Sequence, residues 1–355
     1  MTPARSVLNH RRSSGVTVRD VALHAGVSTA TVSRVLSHKE GVSEELERRV
    51  KESVDVLSYR PNQAARRLRE RRSKIIGMLV PDIQIPFFAS TVVNTERVLQ
   101  EAGYLLLLGN TNDDKESEKV HIETFLGEDV AGVIFAPADL SDITNYRRLQ
   151  EQGIHLVAID RTPGDMQIDT VQVANVQATS IAVRHLIDEG HRRIGLITGP
   201  KYISTAVERQ TGYELALRVA GLESDPQLIQ VGDYTHEGGY TAMQALLSLE
   251  DKPTAVLATN NLMTLGALQT IIERDIAIPC DLAIIGFDDM PWATILRPPL
   301  TVIAQPVNEI GIEAARLMLD RIYEPGASIK HVTLETQLII RQSCRCGTEL
   351  PFAHS

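Results

Sequence analysis

At 355 residues the chain has room for two or three domains with substantial cores, and it has no apolar run of membrane-spanning length. Its net charge of −9 hides a segregation: residues through Lys74 carry 16 Lys and Arg against 8 Asp and Glu, and the remainder carries 20 against 37. A basic leading fifth on an acidic chain indicates a localised polyanion-binding module. Met1 to Gly15 contains Arg5, Arg11 and Arg12 but no apolar segment. Residues 1–16 therefore read as a disordered basic tail and not as a secretory signal. Cys280, Cys344 and Cys346 make no disulfide framework or zinc spacing, which fits a reducing cytoplasm.

The first ordered stretch is Thr17–Leu36. Val21, Ala22 and Ala25, then Val27, Val32 and Val35, fall at helical spacing on two short segments broken by Gly26. Thr17 with Asp20 forms a capping-box pattern, and Ser28 suits the N-cap of the second helix. Two short helices around a glycine turn make a helix-turn-helix, whose second helix fits the DNA major groove. Any small helical domain contains such a pair. Here, however, the outward face of Thr29, Ala30, Thr31, Ser33 and Arg34 suits base edges and phosphates better than a core. Ser43 caps a third helix whose stripe of Leu46, Val50, Val54 and Leu57 completes a minimal domain over 17–60, closed by Tyr59.

Residues 61–73 read as a hinge helix or linker. Pro61 starts it, and Ala64, Ala65 and Leu68 share one narrow face among Arg66, Arg67, Arg69 and Arg71. About eight residues fall short of the roughly 12–15 an isolated helix needs in water. The segment is expected to become helical only beside its own copy over DNA, with Leu68 wedged into the minor groove.

From 74 to 345 apolar runs alternate with amphipathic helices. Strands are expected at Ile75–Val80, Tyr104–Leu108, Val130–Phe135, His155–Ile159, Thr170–Val173, Ile194–Thr198, Ala255–Ala258 and Leu282–Phe287. The pattern runs twice, roughly 75–170 and 170–300, and a late helix returns the chain. It predicts two α/β lobes with parallel sheets and a ligand cleft at the carboxyl ends of their strands. Those ends carry Asp82, Phe87 and Phe88, Asp160 with Arg161, Asn260, and Phe287 with Asp288, while Arg209 opens a helix after Ser204-Thr205-Ala206. Carboxylates and amides bridge paired hydroxyls, Arg donates in a fixed fork, and aromatic faces cover C–H faces. Singly, each Asp reads as a helix cap; together they favour a sugar or similar polyhydroxylated ligand. Trp292 either flanks the cleft or packs at an interface. Residues 346–355 read as a tail.

Thr17-Val18-Arg19-Asp20-Val21-Ala22, Ala25-Gly26-Val27-Ser28, Thr31-Val32-Ser33-Arg34-Val35-Leu36, Val42-Ser43, Tyr59-Arg60-Pro61-Asn62, Ala65-Arg66 and Leu68 together resemble the LacI/GalR (lactose-repressor) family of transcription regulators. The likeness continues through Gly190-His191-Arg192-Arg193-Ile194, Arg209-Gln210-Thr211-Gly212-Tyr213, Asn260 and Ile285-Gly286-Phe287-Asp288-Asp289. It implies a periplasmic-binding-protein-like body behind an all-α DNA-binding domain. It also implies base reading by Thr29, Ala30 and Arg34, a wedge at Leu68, and Asn62 and Ala65 on the same hinge helix. Arg209, Asn260 and Asp288 would contact effector hydroxyls, with Asp160 lining the same cleft. Two positions depart from the family: Ile85 where Asn usually precedes Pro-Phe-Phe, and Asn261 where Asp commonly follows Asn260.

Enzyme signatures are missing: no G-x-S-x-G elbow, no G-x-x-x-x-G-K-[ST] loop and no H-E-x-x-H. Asp160 with Asp288 resembles a glycosidase pair only if both lose their role as hydroxyl acceptors. No cofactor, metal or catalytic residue is expected. The expectation is a cytoplasmic homodimeric regulator, a repressor of pseudo-palindromic operator DNA controlled by a small carbohydrate-like effector. An extracytoplasmic sugar receptor is the alternative, but it would carry an export signal and no use for residues 17–68. No leucine heptad follows Arg341, which favours a dimer over a tetramer.

Overall fold

Three helices make the N-terminal unit of the chain: α1 (Val18–Ala25), α2 (Thr29–Leu36) and α3 (Glu44–Val56). The structure, a computed structural model, describes residues 16–36, 42–57, 59, 73–138, 142–161 and 166–345. It divides into two compact units, one through Ser73 and one from Lys74. In the first, Thr17 Oγ1 accepts from Asp20 N at 3.4 Å while Thr17 N donates to the Asp20 carboxylate at 2.7 Å, so the expected capping box is present. Gly26 ends α1 at φ 65°, and a Cβ there would lie 2.7 Å from an Arg49 guanidinium nitrogen. That nitrogen donates to Ala25 O at 2.6 Å, tying α3 to the end of α1. Val21, Ala22, Ala25, Val32, Val35 and Val50 are buried, and Tyr59 packs against them.

The second unit holds two sheets. The first has the order β11-β5-β4-β3-β1-β2: β1 (Ile75–Val80), β2 (Leu105–Asn110), β3 (Gly132–Phe135), β4 (His155–Ile159), β5 (Asp169–Val173) and β11 (His331–Leu334). All its pairings are parallel. The second has the order β12-β10-β9-β8-β6-β7: β6 (Ile194–Thr198), β7 (Ile229–Val231), β8 (Ala255–Ala258), β9 (Ala283–Phe287), β10 (Thr301–Ala304) and β12 (Gln337–Ile339). Only β12 runs antiparallel to its neighbour among these.

Helices cover both faces of each sheet, which is why the inner strands are apolar throughout. On the first sheet α4 (Pro86–Glu101) and α11 (Val307–Tyr323) take one face, where Phe88, Leu99, Ala314 and Met318 meet Ile76 and Val157. On the other, α5 (Lys115–Gly127) and α6 (Thr144–Glu151) bring Phe125, Tyr146 and Leu149 against Leu79 and Val133. In the second lobe α7 (Asn175–Asp188) and α8 (Ser204–Val219) pack Ala182, Leu186 and Tyr213 on Leu196 and Ile285. Opposite them, α9 (His236–Leu247) and α10 (Asn261–Glu273) pack Met243 and Ile271 on Val256 and Ile284.

The chain passes between lobes three times: from β5 into α7, from β10 into α11, and from β11 into β12. The late helix α11 does return to the first lobe. The strands β7, β10, β11 and β12 escaped the sequence reading. Three of them are short and half-exposed, with no continuous apolar run, and β10 is only four residues closed off by Gln305-Pro306. One expectation fails outright. Cys280 is disulfide-bonded, a pairing that spacing along the chain does not reveal, while Cys344 is free and buried.

The return strand β11 is pinned at its start. Arg321, near the end of α11, donates from Nε and Nη2 to the two oxygens of Asp169 at 2.9 Å each, and Lys330 N donates to Asp169 Oδ1 at 2.8 Å. Asp169 is 2% exposed. Removing one partner of such a pair strands a buried charge. Arg321→Met is expected to lose about 3–5 kcal/mol of stability, checked by urea unfolding of the full chain.

Candidate functional site

The recognition face of α2 is built as its periodicity required. Val32 and Val35 point into the core, Thr29, Ala30 and Arg34 are exposed, and Thr31 and Ser33 are half-buried. Ser28 Oγ accepts from Thr31 N at 3.1 Å and bonds Thr31 Oγ1 at 2.9 Å. Ser28 and Thr31 thus set the start of α2, while Thr29, Ala30 and Arg34 remain open to a groove. Thr17 caps α1, and Tyr59 lies against the core. Asn62, Ala65, Arg66 and Leu68 lie outside the described residues.

In the second unit a cleft of about 310 Å³ opens between the lobes at the carboxyl ends of their strands, lined in part by Asp82, Phe87, Phe88, Asp160, Arg209, Asn260 and Asp288. Seven of the eight effector residues expected from sequence therefore meet there. Two of them repeat one design. Asp160 follows β4 and Asp288 follows β9, the fourth strand of each lobe in chain order. Both are left-handed, at φ 59° and 73°, and each backbone N–H continues the ladder to the next strand, on Val171 O and Ile303 O. Left-handed backbone is tolerable for Asp and turns its carboxylate off the sheet axis.

Arg209 faces both carboxylates. Its Nε donates to Asn175 Oδ1 at 2.9 Å, its Nη1 to Thr259 O at 2.6 Å, and its guanidinium lies 3.9 Å over the Phe287 ring. Phe287 is fully buried and does not line the cleft; it is the floor under Arg209. Burial pushes the Asp160 and Asp288 carboxyls above the usual carboxylate range, and Arg209 is the largest influence holding them down. Because their folded values are raised, the free unit gains stability as pH falls through them and loses it as they ionise.

Other expected residues have their polar atoms partly committed. Asn260 caps α10, accepting from Met263 N at 2.8 Å and donating to Tyr234 O at 3.2 Å. Asp82 Oδ1 accepts from Gln84 N at 2.8 Å, and Phe87 and Phe88 pack edge to face at 4.9 Å. Ile85, the departure before Pro86, supplies no side-chain cap to α4.

Sequence reasoning assigned no role to Asp113 or Gln305, and placed Arg161 only beside Asp160 at a strand end. Arg161 donates to both oxygens of Asp113, at 2.5 and 3.1 Å, and to Pro137 O at 3.0 Å. Gln305, at the second passage between lobes, donates to Asp288 Oδ1 at 2.6 Å. Arg161 was visible beside Asp160; Asp113 and Gln305 carry no local signal, because their partners are distant in the chain. Trp292 packs against the second-lobe core beside α9 and α10 and does not line the cleft.

Residues 17–62 match the model of bacterial regulatory proteins of the lacI family, and 183–344 match that of a periplasmic binding protein-like domain. Over 338 residues the chain is 36% identical to the HTH-type transcriptional repressor CytR of Escherichia coli K12, covering 94% of this chain and 98% of that protein. The chain belongs to the LacI family. Among solved structures, this LacI-family chain is 32% identical to the transcriptional regulator CelR in its cellobiose complex, with a TM-score of 0.72 over 92% of this chain and 99% of that one. It shares the fold of the Lac repressor dimer bound to operator and the anti-inducer ONPF, with a TM-score of 0.83 at 24% identity over 94% and 100% of the two chains. It is a DNA-binding transcriptional regulator and not an enzyme. A receptor without regulatory role has no place for the LacI-family segment 17–62.

The capping role of Asn260 gives a direct check. Asn260→Ala should cost about 1 kcal/mol of stability in the absence of any ligand, and Asn260→Ser or Asn260→Asp should cost less, as read by urea unfolding.

Proposed function

We propose that this regulator represses transcription from a pseudo-palindromic operator in the cytoplasm, as a homodimer released by a small polyhydroxylated effector that closes the cleft. The observation that carries the effector reading is Arg209 beside two buried carboxylates that line the same cleft, Asp160 and Asp288. Vicinal hydroxyls of a sugar-like ring donate to the carboxylates and accept from the guanidinium. The CelR relative, solved with cellobiose, supports this ligand class.

Support for pairing comes from β2, an edge strand of the first sheet that exposes Leu105 at 69% and Leu108 at 38%. Residues 61–73 would become a helix over DNA when two copies meet, with Asn62 and Ala65 on that helix, its arginines over the phosphates and Leu68 as the wedge. Effector that shifts the first lobes then unfolds the hinge. A coupling of about 1–3 kcal/mol changes operator occupancy by roughly 5- to 150-fold. No described helix is long and apolar enough to cross a membrane.

Arg34→Ala should relax operator preference and cost on the order of 1–3 kcal/mol, measured by anisotropy against selected and randomised duplexes. An unchanged preference removes Arg34 from base reading. For the cleft, thermal-shift screening of sugars and sugar phosphates finds the effector, and operator release reports its action. Asp288→Asn and Arg209→Ala should abolish release while operator affinity stays intact. In the wild type, effector affinity should be full above the raised carboxyl pKa values and fall as pH drops through them, because hydroxyl donors favour the charged form. Release that persists in both variants overturns the site.

A further inference from the structure

Arg209 is held from outside the cleft. Its Nε–H donates to Asn175 Oδ1 at 2.9 Å, and Asn175 Nδ2 donates in turn to Glu208 Oε2 at 2.8 Å. Asn175 is 2% exposed and is the first residue of α7, immediately after the chain passes from the first lobe to the second. Glu208 precedes Arg209 on α8 and faces away from the cleft, into a second cavity of about 490 Å³ lined also by Gln172, Gln177 and Ser180. The close approach of α7 and α8 makes the chain of bonds possible. Gly212 lies one turn beyond Glu208, and a Cβ on it would sit 2.3 Å from Val176 O.

The chemistry of an amide makes Glu208 the deciding member. The two ends of an Asn side chain are nearly equal in shape and opposite in function, one accepting and one donating. Arg209 Nε–H only donates, so it is held only when the Asn175 oxygen faces it. That orientation leaves the Asn175 NH2 group pointing the other way, where it needs an acceptor. Glu208 supplies one and makes the alternative orientation unfavourable, since turning the amide would set two oxygens together at Glu208 and two donors together at Arg209.

We propose that Glu208, acting through Asn175, is the positioning residue that aims Arg209 at the effector. This rests on reading Arg209 as an effector contact. With Glu208 in place the guanidinium is set before a ligand arrives, and binding does not have to order it. The pair also ties Arg209 to the first passage between the lobes, as Gln305 ties Asp288 to the second.

The test uses the free full-length protein and needs no effector. The Arg209 Nε–H resonance, assigned by its loss in Arg209→Lys, is followed in ¹⁵N side-chain spectra. Wild type and Glu208→Gln, which keeps an acceptor, should show a slowly exchanging, displaced signal. Glu208→Leu should shift the signal and speed its exchange with water, while Thr259 O and Phe287 still hold the guanidinium. Asn175→Asp has no donor to turn toward Arg209, but it sets two oxygens together at Glu208; it is therefore used with that acceptor removed, and the Asn175→Asp/Glu208→Leu double variant should restore the signal. An unchanged signal in Glu208→Leu, a lost signal in Glu208→Gln, or no restoration in the double variant overturns the proposal. Failure of the effector reading would show only in the ligand screen, so the two are separable.

Discussion

A guanidinium that is 4% exposed between two lobes must be neutralised, bonded and supported at once, and the sensing unit is arranged around meeting that demand for Arg209. Phe287 supports its face, Thr259 O and Asn175 take its donors, and Asp160 and Asp288 balance its charge. These five come from three strand ends and the start of α7, so the site draws on both sheets. Polar groups in such a setting are worth more than at a surface, because little water competes for them.

The repeated placement of Asp160 and Asp288 shows how two similar lobes make one asymmetric site. Each lobe contributes a left-handed Asp after its fourth strand, but only the second contributes the arginine. The first lobe instead carries Arg161, already occupied by Asp113. One lobe thus presents a carboxylate beside a closed ion pair, and the other a carboxylate with the shared cation. Gln305 and Asn175 sit where the chain passes between lobes and bond Asp288 and Arg209.

Residues whose role depends on near neighbours were legible in the chain. The capping box at Thr17 and Asp20, the Gly26 turn, the outward α2 face and the buried strands all follow from spacing. So did the meeting of Asp82, Asp160, Asn260 and Asp288, because strand ends of parallel sheets converge by construction. What escaped depends on distance in the chain. Phe287 sits at a strand end like its neighbours, but strand alternation turns it inward beneath Arg209. Gln305, Asp113 and Glu208 act on partners brought close only by folding. The strands β11 and β12 are too short and too exposed to announce themselves, although they complete the two sheets.

That last placement bears on how the protein is made. The first sheet opens with β1 at residue 75 and lacks its edge until β11 at 331–334, and the second-lobe core includes Cys344. During synthesis the DNA-reading helices leave the ribosome more than 250 residues before the first lobe can close its sheet, an interval on the order of tens of seconds at typical translation rates. A nascent chain thus exposes a finished DNA-binding core long before either lobe is whole. Because the lobes finish almost together, a premature stop near the C-terminus would spoil both of them at once.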